Sequence, residues 1–266
     1  MSGVLTIATD EHVATLTINR PDISNALGEA GDGEAFEAAC QQINADRNIR
    51  CVILTGAGAV FSAGGNIKAM REKSGSFGGA PAHIAENYRR NIHRIVKALW
   101  GLEVPAIAAI NGAAIGLGND VACLCDMRLA AQSAKFGATF LKLGLIPGDG
   151  GAWLLPRIIG TARAAELLFS AKHITADEAL NWGLVSQVVE DGELMAAAHK
   201  LAAQICAQPP EALRATKRLL RHGQMSDFAT LMELSANTQA LMHVSDDHGE
   251  AVSAMLDKRA ANYEDK

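Results

Sequence analysis

The chain has 266 residues, 49% of them hydrophobic, enough to bury one large core as a single domain or as a domain with an appendage. Its formal net charge of −5 excludes the basic footprint that nucleic acid or an anionic membrane surface demands, so any bound anion must be met by local positive charge. The five cysteines (40, 51, 123, 125 and 206) have no CxxC spacing, which argues against a disulfide framework or a zinc site and points to a reducing, cytoplasmic setting. Metal is not expected.

In chain order, residues 4–9 and 13–19 are β-rich runs on either side of Asp10-Glu11-His12 and predict an opening hairpin. The N-terminal stretch lacks a basic start, an apolar run and a small-residue cleavage site, so it reads as mature protein. A helix is expected over 34–45, then a continuous apolar strand over 50–55 and another over 104–110, each followed by a glycine-rich turn and a helical segment. Repeated strand, turn and helix units predict an α/β core. The low-hydrophobicity stretch 73–82 reads as a mobile surface loop. Thr175-Ala-Asp-Glu178 has the spacing of a capping box, Gly183 supplies a helix stop, and a strand over 184–189 follows. From Glu193 onward the pattern is helical, with breaks at Pro209-Pro210, at Gly223 and near Ser245. A boundary near Gln208 therefore divides a core, 1–208, from a helical region, 209–266. No apolar run reaches the length of a membrane span.

Two segments carry chemistry. In Phe61-Ser-Ala-Gly-Gly-Asn-Ile-Lys68 a strand ends in a Gly-Gly turn whose N–H groups can approach a ligand with no Cβ in the way; alone, it is equally a tight turn. Asn111-Gly-Ala-Ala-Ile-Gly-Leu-Gly-Asn-Asp120 also follows a strand. A helix starting near Leu117 would leave its first N–H groups free, with the positive end of the helix dipole behind them. Asp120 would share a face with Leu117 and be either a proton-transfer group or a first-turn acid favoured by the dipole. No nucleophile elbow, zinc-protease helix or phosphate-binding loop occurs, and Gly56-Ala-Gly58 lacks the third glycine of a dinucleotide turn.

Together with Asn19-Arg-Pro, Asn25-Ala-Leu, the run GLIPGDGG from Gly144 to Gly151, LLPRIIG and ITADEALNWGLV, these segments resemble the enoyl-CoA hydratase/isomerase (crotonase) family along nearly the whole chain. The resemblance implies an α/β crotonase-like spiral of ββα units with a C-terminal helical region that packs subunits into a homotrimer or a dimer of trimers. It also implies an acyl-CoA substrate, with no cofactor beyond the coenzyme A of that substrate. By position, the backbone N–H groups of Gly65 and Leu117 form the oxyanion hole, with Ala63, Gly64, Asn66, Ile67, Gly116 and Phe140 around it. Lys68 borders the coenzyme A nucleotide or is a solvated lysine, and Ser24, Asn25 and Ala26 form part of the adenine wall, although Asn25 equally suits a turn. Phe140, Trp153 and the 73–82 loop would shape the acyl pocket.

The sequence departs from the hydratases, in which two glutamates hold the attacking water. Their positions are Asp120, shorter by a methylene or about 1.5 Å of reach, and Phe140, which is not an acid. Asp149 is the candidate replacement; otherwise it is an N-cap for the helix that follows. The expected activity is hydratase-like enolate chemistry by Asp120 with Asp149. The alternatives are a double-bond isomerase with one carboxylate and a catalytically silent acyl-CoA binder.

Overall fold

The computed structural model describes residues 3–263. Strands β1 (Leu5–Asp10) and β2 (Val13–Ile18) form the opening antiparallel hairpin, with Leu5 opposite Ile18 and Asp10 opposite Val13. The elements α1 (Asp32–Ala45), β3 (Cys51–Gly56), α2 (Ile67–Glu72), α3 (Pro81–Arg90), α4 (Ile92–Trp100), β4 (Ala106–Ile110), β5 (Ala113–Ile115) and α5 (Leu117–Leu124) follow. Next come β6 (Met127–Ala131), β7 (Lys135–Gly137), α6 (Gly151–Ile159), α7 (Thr161–Ser170), β8 (His173–Thr175), α8 (Ala176–Trp182) and β9 (Gln187–Val189). Four helices close the chain: α9 (Leu194–Cys206), α10 (Pro210–Gly223), α11 (Phe228–His243) and α12 (Asp246–Asp257).

The strands form two sheets, and from β4 to β7 they alternate between them. One has the order β1-β2-β3-β4-β6-β9 and is parallel from β2 onward, and the other has the order β5-β7-β8. Because β4 is followed at once by β5 and β6 by β7, each coil of the chain places one strand in each sheet before a helix carries it to the next coil. The turn after β3 joins the same pattern through a bridge between Ser62 and Ala114. This is the expected spiral of ββα units.

The central strands read as unbroken apolar runs because both faces of the large sheet are covered. Val52, Leu54, Ala106, Ala108 and Ile110 point into the main core with Phe36 and Ile43 of α1 and Ile95 and Leu99 of α4. Their neighbours Cys51, Ile53, Ile107 and Ala109 point the other way, against Leu194, Ala198, Ala202 and Cys206 of α9. Each Leu or Ile so enclosed contributes roughly 1.5–3 kcal/mol over leaving it in water.

Local signals act where they were expected. Thr175 accepts the Glu178 N–H while Glu178 accepts the Thr175 N–H, and Gly183 ends α8 at φ 77°. The stretch 73–82 is more ordered than its composition implied: a 3-10 turn covers Gly75–Phe77 and α3 begins at Pro81. Asn91 explains this, since its amide donates to the buried Ser76 hydroxyl at 3.0 Å and draws the stretch onto the core. Helix α10 is fastened to the core by two buried cations. Lys217 donates to the Val104 carbonyl at 2.6 Å and meets Asp126 at 2.7 Å, while Arg214 reaches the Ile49 carbonyl at 3.2 Å. By contrast, α11 buries none of its residues and α12 buries only Ala254.

Candidate active site

The two glycine-rich turns lie side by side. The Ser62 N–H donates to the Ala113 carbonyl and the Ile115 N–H to the Ser62 carbonyl, each at 3.0 Å, so the turn after β3 runs alongside β5. Gly64, at φ 84°, sits directly on the Ile115 carbonyl, and a Cβ there would also lie 3.2 Å from the Leu117 nitrogen. Only glycine permits that approach. Asn25 braces the assembly from behind: fully buried, it donates to the carbonyls of Ala57 (2.9 Å) and Val60 (2.6 Å) and accepts the Arg20 N–H (2.8 Å). Leu117 is the first residue of α5, so its N–H has no partner one turn earlier and lies at the positive end of the helix. Gly65 and Leu117 both line one narrow cleft with a cavity volume of about 70 Å³.

Apolar and aromatic side chains make most of its wall: Met70, Phe77, Tyr88, Ile92, Phe140 and Leu143. The carboxylate on that wall is Asp149, 4% exposed, whose Oδ1 has no hydrogen-bond partner within the protein. Gly150, at φ 108°, is the N-cap of α6, so Asp149 is not the helix cap that its position allowed. Burial pushes its pKa up to about 6.

Asp120 lies deeper. It is fully buried, does not line the cleft, and accepts the Gly151 N–H at 2.9 Å, so its carboxylate supports the first turn of α6. A Cβ on Gly151 would come within 2.5 Å of Asp120 Oδ1, which shows how closely the helix start sits on the acid. Burial, then the charge of Asp149, holds the Asp120 pKa well above the usual carboxylate range.

Of the other residues singled out from the sequence, Ala63, Ile67, Gly116 and Phe140 line the cleft, whereas Ser24, Ala26, Gly64, Asn66 and Lys68 do not. Asn66 caps α2 by accepting the N–H groups of Lys68 and Ala69, and Lys68 is exposed beside it. Trp153 belongs elsewhere, packed edge-on against Trp100 with ring centroids 5.3 Å apart; from the 73–82 stretch it is Phe77 that reaches the cleft. Tyr88 escaped the sequence reading. Its four-residue spacing from Ile92 was the available signal, because both side chains face the cleft. No group of three or more His, Cys, Asp or Glu side chains that could hold a metal ion occurs among the described residues.

The spiral of ββα units thus brings two adjacent glycine turns and a helix N-terminus to one cleft that also holds a buried carboxylate. The sequence matches the enoyl-CoA hydratase/isomerase family profile over residues 8–266, and the chain belongs to that family. It is 36% identical to the 1,2-epoxyphenylacetyl-CoA isomerase of Escherichia coli, covering 97% of each chain. It is 37% identical to the short-chain-enoyl-CoA hydratase of Clostridium acetobutylicum over 93% of this chain and 92% of that one. The crystal structure of an enoyl-CoA hydratase from Bacillus anthracis superposes with a TM-score of 0.92 at 32% identity, over 99% of this chain and 100% of the other. The protein is thus an acyl-CoA enzyme of the enoyl-CoA hydratase-like class.

Proposed function

We propose that the N–H groups of Gly65 and Leu117 hold the thioester carbonyl oxygen of an acyl-CoA while Asp149 moves a proton at the neighbouring carbon, in hydratase-like enolate chemistry. The observation that carries this reading is a buried carboxylate oxygen without a protein partner, in the same cleft as the two main-chain donors. Taking a proton from the α carbon builds negative charge on the carbonyl oxygen, and removing one preorganised donor to such an oxyanion typically costs about 3–4 kcal/mol in barrier. Asp149, ionised above about pH 6, is suited to accept the proton near neutrality. Asp120 holds α6, and hence Asp149, in place. Lys68 and the 24–26 turn are the resemblance-based candidates for the coenzyme A nucleotide, and no further cofactor is required.

A second reading, double-bond isomerisation, is favoured by one observation: Asp149 is the only carboxylate on the cleft wall among the described residues, while Phe140 holds the position where the family resemblance puts a hydratase's second acid. One carboxylate suffices to carry a proton between two carbons. Assays of the wild type, Asp149→Asn and Asp120→Asn with crotonyl-CoA and a 3-enoyl-CoA separate these readings. Loss of all turnover in Asp149→Asn is expected; tight acyl-CoA binding with no turnover by the wild type would instead mark a silent binder.

We further propose that residues 209–266 form the subunit interface of a homotrimer or a dimer of trimers. The exposed Phe228, Leu241, Val244, Met255 and Leu256 support it. No described helix is long and apolar enough to cross a membrane. The five cysteines, all free and buried, accord with a reducing cytoplasm.

A further inference from the structure

Hydration and dehydration need a second group, one that handles the oxygen at the β carbon, and Phe140 cannot serve. Tyr88, half-buried on α3, lines the same cleft as Asp149. Its ring lies edge-on to His93, with centroids 5.9 Å apart at 79°, and the His93 Nε2 is 3.0 Å from the carbonyl oxygen of Gly148, the residue before Asp149. A Cβ on Gly148 would lie 3.7 Å from the Tyr88 ring. The Tyr88 ring is therefore packed, with His93, against the backbone turn that carries Asp149.

We propose that the Tyr88 hydroxyl is the oxygen-handling group of this cleft and directs it towards acyl-CoA substrates that bear, or gain, an oxygen at the β carbon. The inference rests on Asp149 as the proton-transfer base. In the dehydration direction Asp149 takes the α proton and the electron pair moves into the thioester, forming the enolate. Collapse of the enolate breaks the Cβ–O bond as the phenol proton passes to the departing oxygen, giving enoyl-CoA and water. The proton on Asp149 then returns to the phenolate through the released water, and hydration is the reverse.

Burial and the Asp149 charge push the Tyr88 pKa up to about 12, so the phenol is protonated through the neutral range. It remains more acidic than water, whose pKa is about 15.7. Being a single donor on a rigid ring, it could replace the missing glutamate without placing a second negative charge beside Asp149.

The test pairs two substrates with Tyr88→Phe, which keeps the ring contact with His93. With 3-hydroxybutyryl-CoA the substitution should lower the dehydration kcat by about 100-fold or more, the range of a lost general acid. With butyryl-CoA in deuterium oxide, which lacks the β oxygen, exchange of the α proton should fall by less than about tenfold. Dehydration that survives the substitution overturns the proposal. A parallel fall of both reactions also overturns it, because Tyr88 would then only position Asp149. So does a wild type that exchanges the α proton but dehydrates no 3-hydroxyacyl-CoA. Retention of α-proton exchange by Asp149→Asn counts instead against Asp149 as the base, which keeps the two failures apart.

Discussion

Asp149 shows what an ionisable group in an apolar cleft does to the fold that holds it. Its pKa is raised from 3.8 to about 6, so the folded chain binds the proton more tightly than the unfolded one between those values. Stability therefore falls as pH rises through that window and stays lower above it, by about 3 kcal/mol at most. Asp149→Asn should unfold at higher denaturant concentration than the wild type at pH 7.5, and the gap should close below pH 4. An unchanged midpoint at pH 7.5 would show that the ionised carboxylate is better solvated than its burial implies. The charged form that can accept a proton is also the form that weakens the fold, a trade expected at active sites. Asp149 could be named from the sequence, but the order of the two carboxylates from the cleft inwards could not. That order depends on which carboxylate faces the cleft and which faces the Gly151 N–H, and chain spacing is silent on both.

At the scale of elements, the start of α6 is the joint on which both acids depend. Gly151 lies against the Asp120 carboxylate, with no room for a methyl group. Gly151→Ala should cost about 1–3 kcal/mol of stability through overpacking and should lower activity as Asp149 shifts with the helix; paired denaturation and turnover measurements check both. The signals that act within a few residues were readable beforehand: the opening hairpin, the Thr175 capping box, the Gly183 stop, and the breaks at Pro210, Gly223 and Ser245. Signals that act across the chain were not. Ser76 is ordered by Asn91, and Asn25 bonds to carbonyls of residues 57 and 60, partners more than 30 residues away that no local pattern reveals. Tyr88 was missed for the same reason, since a helix of mostly polar residues discloses its inward face only once its neighbours are known.

For the whole molecule, the last two helices stand out because a single chain leaves them without a core. Phe228, Val244 and Met255 are about four-fifths exposed, at 78%, 82% and 81%. If they meet a second copy, the double variant Leu241→Glu, Val244→Glu should sediment as a smaller species than the wild type, with the fold of the first 208 residues intact by circular dichroism. Unaltered sedimentation would place the contact elsewhere. An α/β core was legible from the order of strands, glycine turns and helices, whereas the spiral was implied only by the family resemblance. How its coils stack was not legible, because parallel pairing joins residues far apart in sequence.

That stacking also governs when the site comes into being. Gly65 follows β3 and Leu117 follows β5, so the two proposed donors belong to neighbouring coils, and neither turn alone would make a hole for an oxyanion. Parallel strands pair only after a long connection has closed, which makes such contacts slow to form. On the proposed function, a molecule in which the second coil has not yet settled on the first would lack one of the two donors.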